Sequence, residues 1–195
     1  MKRVGVLAVQ GAVDEHLARV EAEDCAAVAV KLPEDLSGLD ALIIPGGEST
    51  AISRLITHNG LFEPIQAFAK EKPVFGTCAG LILCATEIVE DDGRVRPLGL
   101  LPCRVTRNGF GRQVQSFETL LEVDSLGPDA NAGHAVPGVF IRAPYIESLG
   151  PGAKAMAHVD GKIVMAESGL TLVCAFHPEL ADDNRILRYF LNKIS

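Results

Sequence analysis

Apolar runs near residues 3–9, 26–31, 40–44 and 73–76 alternate with segments of helical spacing, Asp14 to Glu21, Ser49 to His58 and Leu61 to Lys70. Short continuous apolar runs suit strands buried on both faces, and their alternation with helices is the rhythm of βαβ units on a parallel sheet. From about residue 98 to 176 the pattern becomes richer in strands, including Phe117 to Val123, Gly138 to Arg142 and Leu170 to Phe176. An amphipathic segment, Asp183 to Leu191, closes the pattern as a helix with one side packed on the sheet. The prediction is an α/β fold: three layers, with an open mixed sheet, mostly parallel, flanked by helices. No repeat, low-complexity tract or linker divides the chain, so residues 1–195 are expected to form a single domain.

The first apolar run follows Met1-Lys2-Arg3 and superficially has the layout of a secretory leader. Gln10 interrupts it, and Asp14 and Glu15 follow, so it is read as a buried strand. No stretch approaches the ~20 apolar residues that span a bilayer, which predicts no membrane association. With 195 residues, 48% of them hydrophobic, a sizeable core is possible. A net charge of −7, aromatics at 5% and the lack of a basic block argue against a nucleic-acid partner. Five cysteines at irregular spacing, without a Cys-x-x-Cys pair, point to reduced thiols in a cytoplasm.

Candidate chemistry sits where the early strands end. Gly76-Thr77-Cys78-Ala79-Gly80 follows the run Pro73-Val74-Phe75 and precedes the apolar residues Leu81, Ile82, Leu83 and Ala85. This is the layout of a nucleophile elbow, a strand turning sharply into a helix whose N-terminus favours a thiolate. Cys78 is the candidate nucleophile, whereas Cys25, Cys84, Cys103 and Cys174 read as small buried hydrophobes. Downstream, the apolar run 170–176 ends in His177-Pro178-Glu179. Proline keeps the preceding residue extended, and residues two apart on an extended chain share a side, so Glu179 is expected to reach the His177 ring. Cys78, His177 and Glu179 then have the roles of a triad. A third piece, Ala41 to Thr50, runs from an apolar strand into Gly46-Gly47. Backbone N–H groups there, at Gly47, are expected to join that of Ala79 as an oxyanion hole. Ligands of open α/β sheets lie at the carboxyl ends of strands, where all three pieces fall.

Gly-Thr-Cys-Ala-Gly with a later Phe-His-Pro-Glu resembles the class I, triad-type glutamine amidotransferases. Gly5-Val6-Leu7-Ala8-Val9-Gln10-Gly11, Pro45 to Thr50, Arg107-Asn108-Gly109-Phe110-Gly111-Arg112-Gln113, Ser116-Phe117-Glu118, Phe140 to Pro144 and Phe176 to Leu180 sharpen the likeness. Together they resemble the family of glutaminase subunits of pyridoxal 5′-phosphate synthases, from the first strand to the last helix. The resemblance implies a flavodoxin-like sheet and hydrolysis of L-glutamine to glutamate and ammonia. The ammonia would pass to a synthase (lyase) subunit in a heteromeric complex. It also implies glutamine binding by Gly47, Glu48, Ser49, Arg107, Ile141 and Arg142. That assignment is chemically coherent, because an Arg fork suits an α-carboxylate and a carboxylate such as Glu48 suits an α-ammonium. No metal or organic cofactor is required by such chemistry. Activation by the synthase subunit is expected, with Gln10 as the partner-sensing residue beside the Gly46-Gly47 loop.

Two other readings remain open at this stage: a cysteine hydrolase or stress-protein relative with the same elbow, and a regulatory module that keeps the fold without the triad. Without the resemblance, Arg107 and Arg112 would read as a solvated basic strand edge. The segment Asp124 to Pro137 is longer than the usual family connection, and its Gly, Pro, Ala and Asn content reads as a loop. His134 within it reads as solvated.

Overall fold

The computed structural model of the protein describes residues 1–89, 92–110, 116–123, 126 and 135–195. Gly111, Arg112, Gln113, His134 and most of the 124–137 loop, all singled out above, lie outside the described residues. The first half alternates as the pattern predicts: β1 (Arg3–Leu7), α1 (Val13–Glu21), β2 (Ala26–Val30), β3 (Ala41–Ile44), α2 (Ser49–His58), α3 (Phe62–Phe68), β4 (Val74–Thr77) and α4 (Ala79–Cys84). Then come β5 (Ala85–Ile88), β6 (Leu101–Thr106), β7 (Ser116–Glu122), β8 (Ala135–Ile141), β9 (Tyr145–Leu149), β10 (Lys154–Val159), β11 (Lys162–Ser168), β12 (Thr171–Cys174) and α5 (Arg185–Leu191).

The main sheet has the order β2-β1-β3-β4-β12-β11-β9-β6-β5, with β10 paired to β11. Strands β2, β1, β3, β4 and β12 run parallel to their neighbours in that series, as do β5 and β6. Pairings β12/β11, β11/β9, β9/β6 and β11/β10 are antiparallel. The predicted α/β fold with a mixed sheet flanked by helices is the observed one, its parallel character concentrated around β1 to β4. Strands β7 and β8 form a separate antiparallel ribbon.

Alternation along β4 assigns the layers, because successive side chains of a strand point to opposite faces. Phe75 meets Phe190 of α5 with ring centroids 5.3 Å apart, and Thr77 meets His16 of α1, so α1 and α5 cover one face. Gly76 points to the other face, where α4 lies so close that a Cβ there would stand 2.6 Å from the Gly80 carbonyl oxygen. Strands β3, β4 and β12 are buried throughout, as their continuous apolar runs require.

Candidate active site

Cys78 stands between β4 and α4 with φ 48° and ψ −103°, a conformation disfavoured for a residue with a Cβ. The strain of the elbow therefore sits on the nucleophile candidate itself. Neither flanking glycine, Gly76 or Gly80, has a positive φ, and both serve close packing of the neighbouring chain. Gly76 lets α4 approach, and a Cβ on Gly80 would collide with the Ile44 carbonyl of β3. The Cys78 N–H donates to the Cys174 carbonyl over 2.9 Å, fixing the elbow to β12, whose chain leads directly to His177.

His177 and Glu179 meet as predicted, though by another backbone path. Pro178–Leu180 forms a 3-10 turn instead of extended chain. Proline suits the first position of such a turn because it has no N–H to leave unpaired. The turn carries the Glu179 carboxylate beneath the imidazole, with Nδ1 to Oε1 at 2.7 Å. Nδ1 is thereby committed to the carboxylate, and Nε2 is left for the Cys78 thiol. Burial works against charge on the His177 ring, but hydrogen bonds to Cys78 and Glu179 outweigh it and push its pKa up to about 10. Burial likewise opposes the Glu179 charge, yet the His177 hydrogen bond and both neighbouring histidines hold its carboxyl below the usual range. The other thiols are ordinary core groups: burial pushes Cys84 and Cys174 far up and Cys103 up to about 12.

The Gly46-Gly47 loop faces this pair. A Cβ on Gly46 would lie 2.5 Å from His177 Cε1 and 3.2 Å from Cys78 Cβ, so only glycine fits. The Gly46 carbonyl accepts from the Ala12 N–H over 3.0 Å, and a planar trans peptide then points the Gly47 N–H in the opposite direction. Gln10 Oε1 accepts from the Glu48 N–H at 2.9 Å, and a Cβ on Gly47 would collide with that oxygen. Ala79, as first residue of α4, has no intrahelical carbonyl for its N–H.

A cleft of about 420 Å³ joins these pieces to the predicted binding residues. Gln10, Gly47, Glu48, Ser49, Cys78, Ala79, Arg107, Ile141, Arg142 and His177 all line it, while Glu179 lies behind His177. Glu48 also has a structural task that the sequence reading overlooked. Its carboxylate caps α2, accepting from Thr50 N at 3.0 Å and Ala51 N at 2.7 Å. Slight burial opposes its charge, and those N–H groups hold its pKa down. Arg107 Nη2 lies 3.8 Å from Glu48 and 3.5 Å from the Thr50 hydroxyl, contacts long enough to yield to an anion. The rim is tied by Gly109 N donating to the Ala143 carbonyl over 2.9 Å, between the left-handed residues Asn108 and Arg142.

Asn108 and Ile82 also line the cleft, although the sequence patterns that contain them assign them no binding role. His16 has no role in those patterns either, and it is buried beside Glu179 with Nε2 to Oε2 at 3.3 Å. Its signal was present: with Val13, Leu17 and Val20 it occupies the apolar stripe of α1, where a polar ring requires a reason.

An elbow cysteine facing a histidine braced by a carboxylate, across from a paired-glycine loop, is the arrangement of the triad-type amidotransferases. The profile of the SNO glutamine amidotransferase family matches residues 6–195, and the chain belongs to that family. It is 51% identical over 195 residues to the "Pyridoxal 5'-phosphate synthase subunit PdxT" of Listeria monocytogenes serotype 4a, covering 100% of both chains. The protein of the same description from Geobacillus kaustophilus is 50% identical, with 98% of this chain and 94% of that one covered. A solved structure described as a glutamine amidotransferase superposes with TM-score 0.90 at 42% identity, covering 98% of each chain. Among the described residues, no helix is long and apolar enough to cross a membrane.

Proposed function

We propose that the protein hydrolyses L-glutamine to L-glutamate and ammonia, as the single-domain, cytoplasmic glutaminase subunit of a pyridoxal 5′-phosphate synthase. The observation carrying this reading is the 2.7 Å His177–Glu179 contact behind Cys78, at the head of a cleft rimmed by Arg107 and Arg142. Glutamine binds with its α-carboxylate toward Arg107 and its α-ammonium toward Glu48, against Ser49 and the Ile141-Arg142 segment. Its carboxamide then reaches Cys78.

The thiolate attacks the amide carbon, forming the C–S bond, and Gly47 and Ala79 N–H groups stabilise the oxyanion. His177 donates its proton to the departing nitrogen, the C–N bond breaks, and a γ-glutamyl thioester and ammonia result. His177, now neutral, takes a proton from water as that water attacks the thioester, releasing glutamate and restoring the thiolate–imidazolium pair. Glu179 holds the ring and stabilises its charged form throughout. Every step is served by a proton or an adjacent base, so the reaction calls for no cofactor.

The synthase subunit acts through a switch at the Gly46–Gly47 peptide, whose rotation supplies or withdraws the Gly47 oxyanion donor and breaks the Ala12–Gly46 bond at a net cost of about 1 kcal/mol, small enough for a partner to control. The test is ammonia release from glutamine, asparagine and a glutamine-containing peptide, by the chain alone and with its synthase subunit. The expected result is release from glutamine alone, strongest with the synthase subunit. Equal rates on asparagine would overturn the substrate, and equal rates with and without the synthase subunit would overturn the switch.

A further inference from the structure

The turn that carries Glu179 is held from behind by α1. Arg19 Nε donates to the Glu179 carbonyl over 3.2 Å, which fixes the main chain. The carboxylate itself has no exposed surface. Its Oε1 is taken by His177, while Oε2 is buried without a hydrogen bond of good geometry. His16 Nε2 lies 3.3 Å from that oxygen and 3.2 Å from the Thr77 hydroxyl, on the strand that ends at Cys78. A buried carboxylate oxygen without a donor is strongly disfavoured, and a ring nitrogen at this distance needs only a small rotation to supply one.

We propose that His16 is a positioning residue for the triad, its Nε2–H holding Oε2 of Glu179 so that Oε1 stays on His177. This rests on the glutamine-hydrolysis reading. The Nε2–H tautomer is the one that fits, because the alternative would set a nitrogen lone pair against a carboxylate. The charged groups facing the ring are Glu179 and His177 from the turn, Glu15 and Arg19 from its own helix, and Asp183 on the adjoining wall. Burial outweighs the attraction of Glu179 and lowers the His16 pKa, so the ring is neutral at neutral pH and a donor through one nitrogen only. Because α1 starts at the segment that binds the Gly46 carbonyl, one helix braces both the oxyanion loop and the triad limb.

The test compares wild type, His16→Leu and His16→Gln. Glutaminase kinetics are measured with the synthase subunit, and the pH dependence of Cys78 alkylation by iodoacetamide and thermal melting on the chain alone. The leucine variant should lose kcat about tenfold at unchanged KM, the share of one charge-assisted hydrogen bond. Its alkylation midpoint should move to higher pH, since a loosened Glu179 supports the imidazolium less. Glutamine retains an N–H donor and should recover most of both. If leucine does not fold, His16→Asn, too short to reach Oε2, replaces it in the comparison with glutamine. Wild-type kcat and alkylation profile in the leucine variant would overturn the proposal, as would equal losses in both variants. A wild type that releases no ammonia would overturn the hydrolysis reading instead, and the alkylation profiles would still decide the role of His16.

Discussion

The parallel strands of the main sheet contribute to the cleft differently from β6 and the separate β7–β8 ribbon. Strands β3, β4 and β12 are short and wholly buried, and they deliver Gly46, Cys78 and His177 from their carboxyl ends. In the separate ribbon, β7 alternates in burial, and β8 ends at the exposed Ile141. With β6, the ribbon delivers Arg107, Ile141 and Arg142. Reacting atoms would require fixed separations, which a close-packed core supplies, and the Cys78–Cys174 backbone bond ties β4 and β12 together at their ends. Groups proposed to capture a charged amino acid would have to meet water first, which a rim position allows. The sides are coupled where His177 N donates to the Val139 carbonyl of β8 over 2.8 Å.

On this division, substitutions at Cys78, His177 and Glu179 act on kcat, whereas those on the rim, with Glu48 and Ser49 beyond the end of β3 counted in it, act on KM. The largest effect is expected for Cys78→Ala: turnover lost by at least ~10⁴-fold with an unchanged melting temperature, since the small residue fits the elbow but cannot attack. Substantial glutaminase activity in that folded variant would remove Cys78 from the chemistry. Next comes Glu179→Gln, which keeps the shape and loses the charge, and kcat should fall by about 10²–10⁴ with KM little changed. The pH profile sharpens the same point. The folded-state pKa of His177 is raised, so its proton is present at neutral pH and lost as pH rises through about 10. Wild-type kcat at saturating glutamine should decline there. In Glu179→Gln the decline should begin at lower pH, because a supporter of the charged ring is gone; coincident profiles would break the assignment.

The residues of the parallel side were legible because their requirements are local. An apolar run followed by glycine, threonine, a nucleophile, alanine and glycine again defines an elbow, and β4, Cys78 and α4 stand where that pattern places them. His177 and Glu179 were found through their spacing, although a 3-10 turn brings them together where extended chain was expected. What the pattern could not show depends on neighbours distant in sequence. The need for glycine at 76 and 80 comes from α4 and β3 pressing on the elbow, not from the turn. His16 meets a carboxylate 163 positions further along the chain. Glu48 caps α2 without a sequence signal for it, because the preferred capping residues are Ser, Thr, Asp and Asn. The rim residues Arg107, Ile141 and Arg142 carry little local signal, and only the family resemblance separated them from ordinary surface.

Arg107→Ala tests the rim. Its present partners, the Thr50 hydroxyl at 3.5 Å, Glu48 at 3.8 Å and Asp92 at 3.9 Å, are too distant to satisfy the guanidinium fully. A bound α-carboxylate would add a charge-assisted contact of about 1.5–3 kcal/mol, so KM should rise roughly ten- to a hundredfold at near-normal kcat. A fall in kcat with constant KM would place Arg107 in the chemistry and erase the division between the sides.

The smallest effect is expected for Gln10→Ala, and it probes whether the oxyanion loop is set from the parallel side alone. Gln10 Oε1 accepts from Glu48 N at 2.9 Å, immediately after the peptide proposed to turn. Removing that acceptor forfeits about 0.5–1.5 kcal/mol of hydrogen bonding, equivalent to a few-fold change in the balance between loop conformations. Glutamine capture does not depend on that bond, so KM should hold. The effect should be confined to the degree of stimulation by the synthase subunit, read as the ratio of ammonia release with and without it. A ratio equal to that of wild type would remove Gln10 from the switch. A raised KM instead would show that Gln10 serves the rim, and that the loop answers to the substrate-binding side as much as to the strands beneath it.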